Sequence, residues 1–400
     1  MPDNTHAQAD STPISNTLRI AQVCIVTAAL LVITLSVNLE APMYKVYAQA
    51  AGFGEGLVAV TFAAYVAGLI PVLIMLGGIS DRLGRKPVML MGLVVALAAN
   101  MLIIFEPTMP MLINVRILQG IAVGLTLGAS AAYIAQILQS SHSVAIITGT
   151  TTTLGLGSGS LLTGASLLYH NSLTPHSYYI VTIATIICLV AMVFMPNPTN
   201  TSNARMVRLP YISMKTIGFC VAILLAWSLN GVMIAVVPGE LERIGFTGWS
   251  AMVVFLSIAT GAIFQPLARK IGSRKSLTWG YILLGFGFVL LLAGVAIQSL
   301  NMVLVSAALA GATGFGLIYQ GGLAAVIASS GEHSARAVSG YFLFAYIGLG
   351  LPSIVIGYLA EIIGVFIALI GVGGALITIA AVAVVLGIGS NSPVPAKASE

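Results

Sequence analysis

Charge is what this sequence has least of. Lys, Arg, Asp and Glu make up 7% of its 400 residues, where a soluble chain carries about a quarter. With 58% of the residues apolar, that shortage excludes a water-soluble globular domain. Strict apolar/polar alternation over about ten residues, the mark of a membrane β-barrel strand, is missing too. Segments such as VAMVFMP and ALITIAAVAVVLGI are apolar all round instead. Cysteine is scarce: Cys24, Cys188 and Cys220 lie inside apolar runs at no metal-ligand or obvious disulfide spacing, and read as small buried side chains. The histidines His6, His142, His170, His176 and His333 fall in expected loops or in the N-terminal tail. There is no H-E-x-x-H stretch and no phosphate-cradling G-x-x-x-x-G-K-[S/T] loop. An enzyme, an ATP-driven pump, a resident cofactor and a metal site are therefore not expected. A secretory signal peptide is not expected here, since the first 18 residues are polar, contain Asp3 and Asp10, and read as a cytoplasmic tail.

What is present is a succession of apolar runs long enough, at about 20 residues each, to cross a bilayer as helices. Twelve are expected, near 20–42, 57–77, 87–105, 110–138, 144–168, 177–196, 212–238, 250–268, 277–297, 302–327, 340–360 and 365–388. Basic residues set the orientation of such spans. With the N-terminus inside, thirteen of the sixteen Lys and Arg fall in cytoplasmic segments, Lys45 and Arg243 fall outside, and Arg116 falls within a span. Both termini are thus expected in the cytoplasm of a bacterial-type inner membrane. The net excess of five positive charges serves this topology and points to no nucleic-acid partner.

The longest polar interruption, NPTNTSNARMVRLP at 197–210, divides the spans six and six. The expected organisation is a tail 1–19, a first bundle 20–196, a linker 197–211, a second bundle 212–388 and a tail 389–400. The two bundles echo each other. GFGEG at 52–56 returns as GFTGW at 245–249, and LGLGSGSLLTG at 154–164 returns as IGLGLPSIVIG at 347–357, both at an offset of 193. DRLGRK at 81–86 has a weaker echo in RKIGSRK at 269–275. An even number of spans per half gives both halves one orientation, as parallel repeats about an axis along the membrane normal.

Twelve spans in six-plus-six repeats with a polar central loop resemble the major facilitator superfamily of transporters. Two stretches sharpen the resemblance. The family pattern G-x-x-x-D-R-x-G-R-K between spans two and three is matched by Gly77, Asp81, Arg82, Gly84, Arg85 and Lys86. The pattern R-x-x-Q-G in span four is matched by RILQG at 116–120. A third pattern of proton-driven exporters, G-x-x-x-G-P-x-x-G-G in span five, is only partly kept. Gly155, Gly159 and Gly164 hold the spacing, Ser160 stands in place of Pro and Thr163 in place of Gly, and a proline, Pro352, appears in the partner helix. The resemblance implies an all-α membrane protein of twelve helices, expected as a monomer. It further implies alternating access between the halves, with proton-coupled export of a small amphipathic solute in the manner of bacterial drug and metabolite antiporters. Proton-coupled import of a metabolite or a metal-chelating molecule is the alternative. A receptor or channel without concentrative transport is the reading from another class.

Candidate residues follow from depth and chemistry. In the 77–86 loop the Arg and Lys anchor a cytoplasmic turn, whereas Asp81 exceeds what topology needs, since acids contribute little to orientation. The resemblance implies a gate there, with Asp81 set against the N-terminus of span eleven near Ser339. Arg116 sits about 10 Å below the outer surface, seven residues into its span. A guanidinium there either snorkels outward or faces a water-filled cavity and needs an acidic partner. Glu40, near the outer end of span one, is that candidate, with an interfacial position as the plain alternative. A carboxylate that gains and loses a cationic neighbour during a cycle can load and release a proton. Asn38 and Asn230 occupy similar places in the two repeats and serve either helix packing or a substrate path. Tyr65, Gln119, Trp227, Tyr319, Gln320, Tyr341 and Tyr346 are the remaining candidates for a largely aromatic substrate cavity. The spacings Gly120/Gly124/Gly128 and Gly155/Gly159 read as close-packing notches.

Overall fold

The structure, a computed structural model, describes residues 16–138, 140–170, 172–196 and 209–385. Most of both expected tails and residues 197–208 of the expected linker lie outside the described residues. Twelve long helices occur among the described residues. In the first half they are α1 (Asn16–Val37), α2 (Glu55–Met75), α3 (Arg85–Phe105), α4 (Met109–Leu138), α5 (Ser141–Tyr169) and α6 (His176–Val193). In the second half they are α7 (Ile217–Ala235), α8 (Ser250–Ile271), α9 (Ser273–Ala296), α10, α11 (Ser334–Ile363) and α12 (Val365–Val385). Helix α10 runs as Leu300–Gly311, passes through a π-helical stretch Ala312–Leu317, and continues as Ile318–Ser330. No strand occurs among the described residues.

Ten helical segments are long and apolar enough to cross a membrane by length and composition alone. The two exceptions have visible causes. Helix α5 has the length, but its GTTTTLGLGSGS run dilutes its apolar character. Helix α12 is apolar throughout Val365–Thr378, the part of it whose side chains the structure describes.

The repeat seen in two sequence echoes governs the whole backbone. Shifting the bounds of α5 by the offset lands on those of α11 to within a residue or so. Each half also breaks its first helix in the same way. Helix α1 stops at Val37 instead of continuing to 42, and the chain re-enters a helix at Tyr44–Ala50 after a tight turn Ala41–Met43 containing Pro42. Helix α7 stops at Ala235 and resumes as Val237–Arg243 with Pro238 in its first turn. A proline has no N–H to continue the preceding ladder, but fits a first helical turn. The glycine corners match too. Gly84 (φ 93°, ψ 156°) ends the short helix Ile79–Leu83 before α3, and Gly272 (φ 80°, ψ 162°) separates α8 from α9. A side chain is strained at such positive φ, so the modest DRLGRK/RKIGSRK echo preserves the one residue type each corner requires.

The halves meet along two seams, α2 against α11 and α5 against α8, which exchange under the repeat as a two-fold axis demands. One contact marks that axis. Gln49 Nε2 donates to Glu242 Oε1 at 2.9 Å, and the two residues are 193 positions apart, the repeat offset itself. Two-fold-related residues touch only near the axis. The pair lies at the end of the bundle opposite the 81–86 and 269–275 loops, called here the far end, as against the basic end. Lys45 adds ion pairs to Glu55 at 3.0 Å and Glu242 at 3.6 Å, and donates to Gly239 O at 3.1 Å. Glu361 accepts from Gly56 N at 2.6 Å. The far ends of the two halves are therefore closed on each other.

A Gln49→Cys/Glu242→Cys pair, in a chain with Cys24, Cys188 and Cys220 replaced, is expected to cross-link readily on oxidation. The two halves should then stay joined on a denaturing gel after proteolysis within 197–208. Halves that separate would contradict the axial contact.

Candidate functional site

The end of α1 creates the site. The last four carbonyls of a helix have no partner within it, and where α1 stops, Ser36 O and Val37 O turn toward α4. Arg116 and Gln119 share one face of α4 at an i, i+3 spacing. Arg116 is 0% exposed. It donates through Nη1 to Val37 O and to Gln119 Oε1, the latter at 3.1 Å, and through Nη2 to Phe62 O of α2 at 3.2 Å. Its guanidinium also lies 5.0 Å from the Tyr65 ring centre, 5.6 Å from that of Phe62 and 5.9 Å from that of Tyr44. Such aromatic faces attract a cation. Snorkelling to a surface is thus not its arrangement here.

Glu40 is also 0% exposed, so it is not an interfacial residue in this conformation. It forms no direct ion pair with Arg116. Gln119 stands between them. Its Nε2 donates to Ser36 O at 2.8 Å and to Glu40 Oε1 and Oε2 at 3.0 and 3.1 Å, while its Oε1 accepts from Arg116. Gln119, expected on the substrate path, links the two charges of this network.

The two asparagines do different work. Asn38 donates to Leu156 O of α5 at 2.8 Å. Asn230 donates to Ala226 O at 2.8 Å and to Ala310 O of α10 at 3.1 Å. Both amides therefore join helices through backbone carbonyls, and each keeps a buried Oδ1 without a protein partner.

The aromatic candidates converge on the bundle's interior. Tyr65 of α2 meets Tyr346 of α11 across the seam, ring centres 6.3 Å apart, and Tyr346 meets Trp227 of α7 at 5.1 Å. Trp227 stacks on Phe315 at 5.0 Å. Phe342 links Tyr346, Tyr319 and Tyr341 at 6.5, 5.9 and 5.9 Å. Gln320 is half-buried beside Tyr319 on α10. Phe315 and Phe342 escaped the sequence reading, since a lone Phe in an apolar span carries no signal of facing inward. So did Gln265 of α8, which donates to Thr153 Oγ1 across the other seam at 2.8 Å and to Phe315 O at 3.1 Å.

One of those rings, Phe315, lies in the π-helical stretch. Widening a helix loosens its own ladder, and several carbonyls in or beside this stretch take side-chain donors. Asn230 serves Ala310 O, Trp227 serves Gly314 O at 2.7 Å, and Gln265 serves Phe315 O. Ser276 serves Leu317 O at 2.8 Å, and Tyr341 serves Ile318 O at 2.9 Å. The rings pack on one another. Neither of the two described cavities, about 410 and 660 Å³, is lined by any of the expected substrate-path residues.

At the basic end, Lys86 donates to Val193 O at 2.7 Å and Met195 O at 2.5 Å, closing the C-terminus of α6. Gly77 lies in the turn leading to the short helix Ile79–Leu83, on which Asp81 is half-buried and Arg82 exposed, and Arg85 opens α3. Helix α11 starts at Ser334, earlier than the expected Ser339. Gly155 and Gly159 bring α5 onto α1: a Cβ on Gly159 would lie 2.1 Å from Leu35 O. Gly164 faces Ala251 of α8 across the seam, and Ser160, in the proline position, donates to Ala251 O at 3.1 Å. Pro352 lies inside α11, on the wall of the 410 Å³ apolar cavity.

Breaking one side of a buried charge network leaves the other side uncompensated, at a cost of about 3–5 kcal/mol. Arg116→Leu is expected to lose roughly that much in unfolding measurements in detergent micelles. Adding Glu40→Leu should recover part of the loss, and a strictly additive double variant would count against the network.

A model of the Major Facilitator Superfamily matches residues 26–264. The tetracycline resistance protein, class B, of Escherichia coli is 29% identical over 228 residues, 53% of this chain and 55% of that protein. The chain thus spans about half the length of this curated relative. Two solved structures share the fold. The xylose transporter XylE from E. coli, in a partially occluded inward open conformation, has a TM-score of 0.71 at 15% identity, over 96% of this chain and 99% of that one. A mutant of the nucleoside transporter NupG has a TM-score of 0.70 at 14% identity, over 92% and 99%. With two parallel six-helix repeats and a family match across more than half its length, the chain belongs to the major facilitator superfamily, as a multi-pass membrane transporter and not an enzyme.

Proposed function

We propose that this transporter moves a small amphipathic organic solute outward, coupled to protons carried by Glu40. The observation that carries the reading is the fully buried network of Glu40, Gln119 and Arg116. A buried carboxylate is stable as an anion only while its donors stay in place. If rocking of the halves withdraws Gln119 and Arg116, Glu40 must take up a proton or reach water. That requirement links proton loading to the conformational cycle. The aromatic cluster around Tyr65, Trp227, Tyr346 and Phe315 supports an amphipathic solute, because π-faces accept varied flat or cationic molecules. The tetracycline resistance protein supports outward movement of drug-like cargo.

In this reading the basic end faces the cytoplasm, both termini lie on that side of an inner membrane, and the chain works as a monomer. The far-end contacts of Lys45, Gln49 and Glu361 close the outward path, and the Asp81 loop closes the inward one in the alternate state. Ser160 and Thr163, standing where exporters carry Pro and Gly, favour proton-coupled import as the second reading.

Vesicles containing the protein, with an imposed proton gradient and tetracycline as the first probe in a wider solute screen, test both. Solute is expected to move against its own gradient and opposite to proton flow, and Glu40→Gln should reduce the rate about tenfold or more. Movement in the same direction as the protons would select import. Undiminished transport by Glu40→Gln would remove Glu40 as carrier, and indifference to the gradient would sink proton coupling.

A further inference from the structure

The amide of Gln119 can face Glu40 in only one way. Ser36 O, 2.8 Å from Nε2, only accepts, and the Arg116 guanidinium, 3.1 Å from Oε1, only donates. Turning the amide over would set carbonyl against carbonyl and N–H against N–H. Nε2 is thereby held against both oxygens of Glu40, at 3.0 and 3.1 Å. This suits an ionised carboxylate, which only accepts. A protonated Glu40 has a hydrogen to donate, and neither the Gln119 nitrogen nor Arg116 can accept it.

Tyr44 can. Its side chain is 2% exposed, and its hydroxyl is buried without a protein partner. Its ring centre lies 5.9 Å from the Arg116 guanidinium. Glu40 starts the tight turn Ala41–Met43, Tyr44 opens the helix Tyr44–Ala50 directly after it, and Tyr47 follows Tyr44 at i+3 on one face of that helix. Tyr47 lies one turn nearer the far end. Its hydroxyl donates to Leu173 O at 2.5 Å and meets the Tyr178 hydroxyl at 3.2 Å. Leu173, in the α5–α6 connection, is 48% exposed. The Tyr47 and Tyr178 hydroxyls thus connect the stretch just after Tyr44 with an exposed loop.

The surroundings contain no second carboxylate or lysine beside Glu40 among the described residues. Arg116 faces Glu40 from α4, with Tyr65 of α2 stacked behind it, and Tyr178 faces it from α6. Helices α5 and α8 pack on the Ala41–Met43 turn. The charges of α8, Arg269 and Lys270, are at its opposite end, and Tyr169 of α5 is 90% exposed.

We propose that the Tyr44 hydroxyl is the group through which Glu40 exchanges its proton with the far end of the protein. Tyr44 passes its hydroxyl hydrogen to a Glu40 oxygen while its own oxygen takes a proton from the far-end side. One O–H bond on Tyr44 breaks as another forms, and no charge remains on the ring. The inference rests on the proposed role of Glu40 as proton carrier.

Infrared difference spectra of the full chain reconstituted in phospholipid, recorded after a drop in pH, test it without a transported solute. The parent protein is expected to show a protonated-carboxyl C=O band that Glu40→Gln removes. In Tyr44→Phe, which keeps the ring and its packing, the band should form roughly tenfold or more slowly. It should also move to higher wavenumber, because the protonated carboxyl has lost its acceptor. Tyr169→Phe is expected to match the parent. A band unchanged in rate and position in Tyr44→Phe overturns the relay while leaving Glu40 as carrier. A parent protein with no band that Glu40→Gln removes overturns both.

Discussion

A guanidinium that cannot shed its charge is fully buried among α1, α2 and α4, and much of the first half is arranged around satisfying it. Arg116 needs acceptors that lipid does not offer, and a helix interior offers only carbonyls already bonded in their own ladder, such as Phe62 O. The early stop of α1 adds Val37 O, which has no partner within its helix. The same break sets Glu40 on the following turn, so cation and anion share one pocket with the Gln119 amide as spacer. One donor, Arg116 Nε, stays unpartnered, which leaves the network short of full satisfaction and hence easier to rearrange than a closed one.

The repeat gives the halves one shape but not one chemistry. The α2–α11 seam carries aromatic rings, Tyr65 against Tyr346, and the Gly56 N–Glu361 hydrogen bond at the far end, whereas the α5–α8 seam carries the Gln265–Thr153 hydrogen bond and an Arg269 contact to Ala145 O at 3.1 Å. The α5–α8 seam connects directly to the π-helical stretch of α10 through Gln265 and Phe315 O, so movement at that seam reaches the aromatic cluster.

The architecture was largely legible in the sequence because membrane helices are written in composition. Lipid demands a helix wherever the chain crosses, and the offset between GFGEG and GFTGW already fixed how the halves correspond. Arg116 and Glu40 could be singled out for a related reason, as charges are rare and costly at that depth. Gln119 could not be given its role, because an amide one turn from Arg116 is equally suited to packing, substrate or a charge relay. Phe315, Phe342 and Gln265 were silent, since nothing in an apolar run says which face turns inward.

Sequence alone thus determined the number of crossings, the repeat and the scarce charges, all of them consequences of solvation that each residue carries with it. Only the tertiary structure decided that α1 ends early enough to free Ser36 O and Val37 O, and that Gln119 separates Glu40 from Arg116. It also decided that Tyr44 keeps an unpartnered hydroxyl beside them. Those outcomes depend on which carbonyls, donors and rings meet in space. Helix rotation and closure of the far end settle that, and no local run of residues encodes either one.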